Sequence, residues 1–242
     1  MKKKSIGIIV GSIRKDAYTK KIADFLISKA PEGYSLETID IADLPLYNQD
    51  YDEADEPENY SSFRKKVKAK DGIIFITPEH NRSVPAALKN ALDVGSRPYG
   101  KNVWDGKPCF VLSSSVSGIS GFGANHHLRQ TLTFLNMPTL QQPEVYLPNV
   151  QDYFNDKGEL IKEDTASFLI KSLKTYLDLV GTLEDYVVVV ATSGDYLAGE
   201  LDFGENLQWV GIGENFFEKP GIWILDNKQP VYVSQEADCI YY

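Results

Sequence analysis

Short apolar segments alternate with amphipathic segments along the first 180 residues, and this alternation restricts the chain to one class of fold. The segments Ser5–Val10, Asp71–Thr77 and Lys107–Ser113 contain continuous apolar runs, which are typical of strands buried on both faces of a sheet. Weaker patterns at Tyr34–Ile39 and Val145–Leu147 predict two further strands. Because helical segments separate these strands, the sequence predicts a doubly wound, five-stranded parallel sheet of the flavodoxin type.

Helical periodicity fills the intervals between the predicted strands. The predicted helices are Lys20–Lys29, Ser61–Lys70, Pro85–Gly95, Ala124–Asn136 and Asp164–Val180. The second is expected to be basic and exposed, and the acidic stretch Asp50–Tyr60 before it is expected to be a solvated loop. The last is expected to end at Gly181, because glycine commonly terminates helices.

The residues after Gly181 lose helical periodicity and contain many glycines. Two apolar runs, Ile222–Leu225 and Val231–Val233, flank a polar segment and predict a hairpin. We therefore expect two domains: residues 1–180 form the flavodoxin-like domain, and residues 181–242 form a small β-rich C-terminal extension of unknown role.

Charge and cysteine content exclude several classes of function. The net charge of -9 argues against nucleic-acid binding, which requires a basic surface. No apolar run approaches the roughly 18 residues of a membrane span. Cys109 and Cys239 match no disulfide or metal framework, and His126 and His127 face different directions on a helix. We expect a cytoplasmic protein without a metal site.

The first of three polar loops follows the first predicted strand and has the sequence Gly11-Ser12-Ile13-Arg14. Its backbone N–H groups, the Ser12 hydroxyl, the Arg14 guanidinium and the N-terminus of the next helix suit a phosphate group. The loop matches neither the Rossmann fingerprint nor the P-loop. The alternative is an ordinary strand-to-helix turn with a surface arginine.

The second and third loops follow the third and fourth strands. Thr77–Pro85 places polar groups between two rigid prolines, where its backbone N–H groups suit the edge of a planar heterocycle. Its alternative role is helix capping by Ser83. Ser113–Gly123 is rich in serine and glycine, which allow a ring to approach the backbone, although this composition also fits a flexible surface loop. All three loops are expected at the carboxyl edge of the sheet.

The three loops together resemble the NADPH-dependent FMN reductase family, which includes quinone, azo and chromate reductases. The resemblance covers residues 4 to 150 and extends loosely to 180. Its most specific part begins at Thr77 and fits the family pattern T-P-E-Y-N-x-S-x-P-x-x-L-K-N-A-x-D. The segment His127-Leu128-Arg129-Gln130 also matches a family helix. The resemblance implies an FMN cofactor, with NADPH or NADH as electron donor.

The resemblance also implies which residues bind the cofactor. The first loop would hold the FMN phosphate, and the other two would line the isoalloxazine ring. The implied cofactor-binding residues are Ser12, Arg14, Thr19, Pro78, Glu79, His80, Asn81, Ser83, Ser115 and Gly118. No side chain is expected to act as catalytic acid or nucleophile, since the flavin carries the chemistry. His80 is a possible acceptor contact, and a loop histidine held by hydrogen bonds is the alternative.

The chain departs from the family pattern at several positions in the three loops. In the first loop this chain has Ala17 and Thr19 where the family usually has Ser and Asn, and in the second it has His80 where the family has Tyr. In the third loop it has Ser117 and Ser120 where the family has glycines, and Gly123 where the family has Arg. The departures in the third loop fall in the region that contacts the nicotinamide, and the choice between NADH and NADPH stays open.

The predicted function is that of an FMN-dependent NAD(P)H oxidoreductase. Hydride would pass from the nicotinamide to the flavin and then to a small acceptor, namely free flavin, a quinone, an azo compound or a metal oxyanion. One alternative is a flavodoxin-like electron carrier without direct nicotinamide turnover. Another is a non-catalytic relative whose C-terminal extension mediates interaction. The resemblance also implies a homodimer or homotetramer.

Overall fold

The computed structural model describes residues 3–52, 56–185, 188–191, 221–226 and 229–234. The chain divides into two compact units, Met1–Val180 and Gly181–Tyr242. The first unit contains a parallel sheet whose strands are β1 (Lys4–Val10), β2 (Tyr34–Thr38), β3 (Gly72–Pro78), β4 (Cys109–Ser114) and β5 (Val145–Leu147). Their order is β2-β1-β3-β4-β5, which confirms the predicted doubly wound sheet.

Among the described residues, four helices connect successive strands of this sheet, and a fifth follows its last strand. Their bounds are α1 (Tyr18–Ser28), α2 (Glu58–Lys68), α3 (Ala86–Gly95), α4 (Phe122–Phe134) and α5 (Glu163–Asp185). Strand order reverses direction between β1 and β3, because β2 lies on the far side of β1. The loops that follow β1 and β3 therefore diverge at this switch point, where doubly wound folds bind ligands.

Both faces of the sheet are buried, as the apolar strands predicted. Ile8 and Ile76 belong to one core, together with apolar residues of α1 and α5. Ile9 and Phe75 belong to a second core, together with apolar residues of α2, α3 and α4. Neighbouring residues of a strand thus point to opposite faces, and each face is covered by helices.

Helix α2 differs from the prediction of an exposed basic helix. Tyr60, Phe63 and Val67 are buried, and so is Arg64. The three apolar residues stand at positions i, i+3 and i+7, which form one stripe facing the core between lysines that face water. The helix also begins at Glu58, within the segment that was expected to be a loop.

Helix α5 continues past Gly181 to Asp185, so the predicted end at that glycine is wrong. A glycine inside a helix costs only about 1 kcal/mol relative to alanine. The residues on either side of Gly181 supply enough helical propensity to continue the helix.

The described strands of the second unit are β6 (Val188–Ala191), β7 (Gly221–Asp226) and β8 (Gln229–Ser234). They form an antiparallel sheet in the order β6-β7-β8, and the pairing of β7 with β8 confirms the predicted hairpin. The residues between these two strands, and Cys239, lie outside the described residues.

Within the described ranges, no helix has the length and apolar character required to cross a membrane.

Candidate functional site

The carboxyl ends of β1, β3 and β4 bring the three polar loops together. Strand pairing sets Val10 opposite Ile76, and Pro78 opposite Ser114. The first loop passes directly beside the second, because a Cβ atom added to Gly11 would lie 3.3 Å from Cδ of Pro78. The three loops therefore form one continuous surface at this edge of the sheet.

The N-terminus of α1 provides the features of a phosphate site. Its N-cap residue, Ala17, makes no side-chain cap hydrogen bond, and the first turn contains no acidic residue. The hydroxyl of Thr19 is buried without a hydrogen-bond partner in the described part of the chain. A buried polar atom usually has a partner. An anion at the helix N-terminus would supply one and would interact favourably with the helix dipole.

Ser12 and Arg14 lie beside this helix end. The Ser12 hydroxyl accepts a hydrogen bond from the Arg14 backbone N–H at 3.4 Å, so Ser12 orders the loop locally. The Arg14 side chain is exposed. A guanidinium with no fixed partner is free to form a charge-assisted hydrogen bond with a phosphate.

The second loop contains a tight two-residue turn. The backbone N–H of His80 donates to the carbonyl of Ser83 at 2.9 Å, and the N–H of Ser83 donates to the carbonyl of His80 at 3.0 Å. Between them, Asn81 and Arg82 have φ angles of 50° and 63°. Two successive left-handed residues are characteristic of the type I′ turn, and for arginine this conformation is strained. Such strain is often found at functional sites.

The side chains of this loop contact α4. The Ser83 hydroxyl lies 2.7 Å from Nδ1 of His127. The predicted alternative, that Ser83 caps α3, is wrong, because Pro85 occupies the N-cap position of that helix without a side-chain cap. Oε2 of Glu79 accepts a hydrogen bond from the Ala124 backbone N–H at 3.1 Å.

The imidazole of His80 is exposed and has no hydrogen bond within the described ranges. The other two histidines differ, since His127 contacts Ser83 and Nε2 of His126 lies 2.9 Å from the Tyr146 hydroxyl. The hydrogen bonds that hold His80 in the described structure are the two backbone bonds of its turn, and both interpretations of its side chain stay open. In the described part of the chain, no group of three or more His, Cys, Asp or Glu side chains is arranged to bind a metal ion.

The third loop is ordered by its own serines. Oγ of Ser115 accepts a hydrogen bond from the backbone N–H of Ser117 at 3.1 Å, and the N–H of Ser115 donates to Leu147. Gly118 faces open space. Ser120 has a φ angle of 64°, a left-handed conformation in which the glycine typical of the family would be unstrained.

A polar chain behind the third loop was not anticipated from the sequence. The amide of buried Asn125 donates to the Ser113 hydroxyl at 3.2 Å, and its oxygen accepts a hydrogen bond from Nε of Arg129 at 3.0 Å. Arg129 also donates to the carbonyl of Leu140. This chain fixes α4 to the end of β4. The spacing of Asn125 and Arg129, one helical turn apart, is the sequence signal that could have indicated it.

The strand order β2-β1-β3-β4-β5, with polar loops at the switch point, places the chain in the flavodoxin-like class of doubly wound α/β proteins. The model of the NADPH-dependent FMN reductase family matches residues 5–152. A quinone reductase from Pseudomonas putida is 48% identical over 165 residues, which cover 68% of this chain and 88% of that protein. A 2-hydroxy-1,4-benzoquinone reductase from Burkholderia sp is 40% identical over 173 residues, with coverage of 72% and 92%.

A solved structure gives the same result. The flavoenzyme NAD(P)H:(acceptor) oxidoreductase FerB from Paracoccus denitrificans aligns with a TM-score of 0.68 and 33% identity, covering 74% of this chain and 98% of its own. The chain belongs to the NADPH-dependent FMN reductase family. It is an FMN-dependent oxidoreductase that uses NAD(P)H, which confirms the predicted enzyme over the electron-carrier and non-catalytic alternatives.

Proposed function

We propose that this enzyme reduces quinones at the carboxyl edge of its parallel sheet. When bound, FMN would supply the hydride-transfer chemistry that links the nicotinamide to the acceptor. The names of the Pseudomonas and Burkholderia relatives favour a quinone over free flavin, azo compounds and metal oxyanions. The chain itself supplies binding, orientation and exclusion of competing reactions.

The observation that carries the cofactor site in this proposal is the Thr19 hydroxyl at the uncapped N-terminus of α1, which is buried without a partner among the described residues. A phosphate there accepts hydrogen bonds from this hydroxyl, from the N–H groups of the first turn, from Ser12 and from Arg14. The charge-assisted bonds from Arg14 and the helix dipole favour a dianion over a neutral ligand.

The second and third loops would hold the flavin ring in this proposal. The turn from His80 to Ser83 is held by two backbone hydrogen bonds, so the backbone from Pro78 to Asn81 presents a rigid edge. Ser115 and Gly118 face the ring from the third loop, where the open space around Gly118 leaves room for a stacked nicotinamide or acceptor. Close stacking of donor and acceptor is the main contribution of such a site to hydride transfer.

His80 contacts the acceptor in this proposal. Its imidazole is exposed and unbonded within the described ranges, and it is carried on the strained turn. Reduction of a quinone to a hydroquinone consumes two electrons and two protons. The hydride supplies both electrons and one proton. In contrast to the sequence-based expectation of no catalytic acid, the second proton passes from solvent through a ring N–H of His80 to the acceptor oxygen.

Subunit association and location complete the proposal. The large apolar side chains of Ile13, Val116, Ile119 and Phe122 are exposed at or beside the first and third loops. A group of exposed apolar residues beside a site often marks an interface. We therefore include a homodimer or homotetramer, which light scattering at micromolar concentration tests through the particle mass.

The proposal also places the protein in the cytoplasm. The buried thiol of Cys109 is compatible with a reducing cytoplasm.

The direct test is the visible spectrum of the purified protein after addition of FMN and removal of the excess. We expect flavin absorption bands that bleach under anaerobic NADPH and return when a benzoquinone is added. A protein that retains no FMN would contradict the proposed cofactor site. Bands that bleach with NADPH but return only with ferricyanide would contradict the quinone as acceptor.

A further inference from the structure

The carboxylate of Glu79 connects two of the three loops. Glu79 follows β3, but Oε2 accepts a hydrogen bond from the backbone N–H of Ala124, in the first turn of α4. The other oxygen, Oε1, lies 3.1 Å from Nη1 of Arg82 within its own loop. The Glu79 side chain is only 12% exposed, so the contact with α4 is largely shielded from water.

Helix α4 has no other acidic cap in its first turn. Its N-cap residue, Gly121, adopts a left-handed conformation and makes no side-chain cap hydrogen bond, and the first turn contains no acidic residue. The first N–H groups of a helix lack intrahelical partners and attract negative charge. Glu79 supplies this charge from a different loop, 45 residues earlier in the chain.

Gly123 makes this contact possible. A Cβ atom at position 123 would lie 3.0 Å from Oε2 of Glu79 and 3.1 Å from the carbonyl oxygen of Arg82. Both distances are shorter than ordinary van der Waals contact. A side chain here would require the Glu79 carboxylate or the backbone of Arg82 to shift by a few tenths of an ångström. This close approach gives a physical reason for the glycine at a position where the family commonly has arginine.

We infer that Glu79 is a positioning residue that joins the second and third loops into one unit before the cofactor binds. This inference rests on the proposed FMN site between these loops. When a ligand binds between two loops that move independently, the conformational entropy lost in ordering the loops reduces its affinity. Loops that are already ordered lose less entropy on binding. The hydrogen bond from the Ala124 N–H to Glu79 therefore raises FMN affinity, although the Glu79 carboxylate contacts α4 and not the cofactor.

The test measures FMN binding to the flavin-free protein by flavin fluorescence. Glu79→Gln removes the charge, and Gly123→Ala crowds the Glu79 carboxylate and the Arg82 carbonyl at the contact. We expect each to raise the Kd for FMN by roughly 3- to 30-fold, the range of a lost helix cap. Helix propensity alone predicts that Gly123→Ala stabilises α4, so weaker FMN binding by this variant would have to come from the crowded contact. The double variant should bind no more weakly than the weaker single variant, since both break the same link.

Asp105→Asn serves as the matched control. Asp105 is an exposed carboxylate that accepts a hydrogen bond from Asn136, and it precedes β4, at the opposite edge of the sheet. This variant loses the same charge and should bind FMN within about twofold of the unmodified protein. The Asp105 variant should also keep its kcat at saturating FMN within about twofold. The far-UV circular dichroism of the flavin-free Glu79 and Gly123 variants should match that of the unmodified protein, which a generally damaged fold would not permit.

The outcomes separate the inference from the proposed function. If the unmodified protein binds FMN and both variants bind it equally well, Glu79 does not position the loops. Additive effects in the double variant would also overturn the inference. If the unmodified protein does not bind FMN, the proposed site is wrong and the inference fails with it. Should Glu79→Gln fail to fold, the Gly123→Ala titration decides the question.

Discussion

The hydroxyl of Ser83 and Nδ1 of His127 lie 2.7 Å apart, which fixes the end of the second loop to the middle of α4. The two residues are 44 positions apart in the chain. His127 belongs to the segment that matches a family helix, and the structure gives it a contact with the loop after β3. The turn from His80 to Ser83 is thus held at both ends, by Glu79 at its start and by Ser83 at its finish.

The pair can be tested with a double-mutant cycle of Ser83→Ala and His127→Phe. Each single variant loses one hydrogen bond, so we expect the free energy of unfolding to fall by ~0.5–1.5 kcal/mol. The double variant should be no less stable than the weaker single variant, because the same bond is lost only once. Urea denaturation of the flavin-free protein provides the measurement. Losses that simply add would show that the two side chains do not interact.

Thr19→Val should have opposite effects on stability and on cofactor binding. The buried Thr19 hydroxyl has no partner in the described structure, so its removal should leave the flavin-free protein equally stable or stabilise it by up to ~1 kcal/mol. FMN affinity should fall by about 10-fold or more, because a hydrogen bond to a charged phosphate is lost. Thermal unfolding and FMN titration measure the two quantities.

Thr175→Val is the control for this prediction. Thr175 is half-buried on α5, and its hydroxyl donates to the carbonyl of Lys171. The same chemical change there should leave FMN affinity unaltered. If Thr19→Val destabilises the flavin-free protein and leaves FMN binding intact, Thr19 is a structural residue and the phosphate binds elsewhere.

Arg14→Ala tests the charged contact at the same helix end. We expect FMN binding to weaken by about 1.5–3 kcal/mol through loss of a charge-assisted hydrogen bond. Riboflavin lacks the phosphate and provides a control within the same protein, since its affinity should not change. Equal weakening for both ligands would mean that Arg14 acts on the ring or on the fold.

The strands were predictable because their signal is local. β1, β3 and β4 are buried on both faces, so they are continuous apolar runs whose observed ends lie within two residues of the predicted ones. The buried stripe of α2 was missed because its three apolar residues stand among lysines in a sequence that is polar on average. The i, i+3, i+7 spacing of these apolar residues indicates a buried stripe, but the high average polarity of the segment favoured an exposed helix.

The candidate site was predictable in position but not in its internal contacts. The order of strands and loops places Ser12, Glu79 and Ser115 at one edge of the sheet. The contacts from Glu79 to Ala124 and from Ser83 to His127 join segments more than 40 residues apart, and no local pattern encodes them. The left-handed φ angles of Asn81 and Arg82 were equally hidden, because arginine is not a typical turn residue for this conformation.

The buried thiol of Cys109 predicts a loss of stability at alkaline pH. Burial raises its pKa from 9.0 to about 12, while the hydrogen bond with Thr139 acts in the opposite direction. Between these values the thiol ionises in the unfolded chain but stays protonated in the folded protein. The unfolded state then binds fewer protons, so stability falls as pH rises, by at most ~1.4 kcal/mol per pH unit for this group.

Cys109→Ser should reduce this slope, because serine does not ionise in the same range. Urea denaturation at several pH values between 8 and about 11 measures it. Some slope will remain, since burial also raises the pKa of Tyr146 to about 12 and the pKa of Tyr176. An unchanged slope in the variant would show that Cys109 ionises equally in both states.

His80 offers the sharpest test of the acceptor, because two acceptors differ in their need for protons. A quinone takes up two protons on full reduction, whereas ferricyanide takes one electron and no proton. If the imidazole donates a proton to the acceptor oxygen, His80→Phe should slow quinone turnover by about 100-fold or more and leave ferricyanide turnover within about twofold. His80→Tyr, which introduces the residue usual in the family, should restore part of the quinone rate through its hydroxyl. Both rates are measured under the same NADPH and FMN saturation, so the donor step is common to them. An equal loss with both acceptors would place His80 in cofactor binding, and no loss with either would remove it from the site.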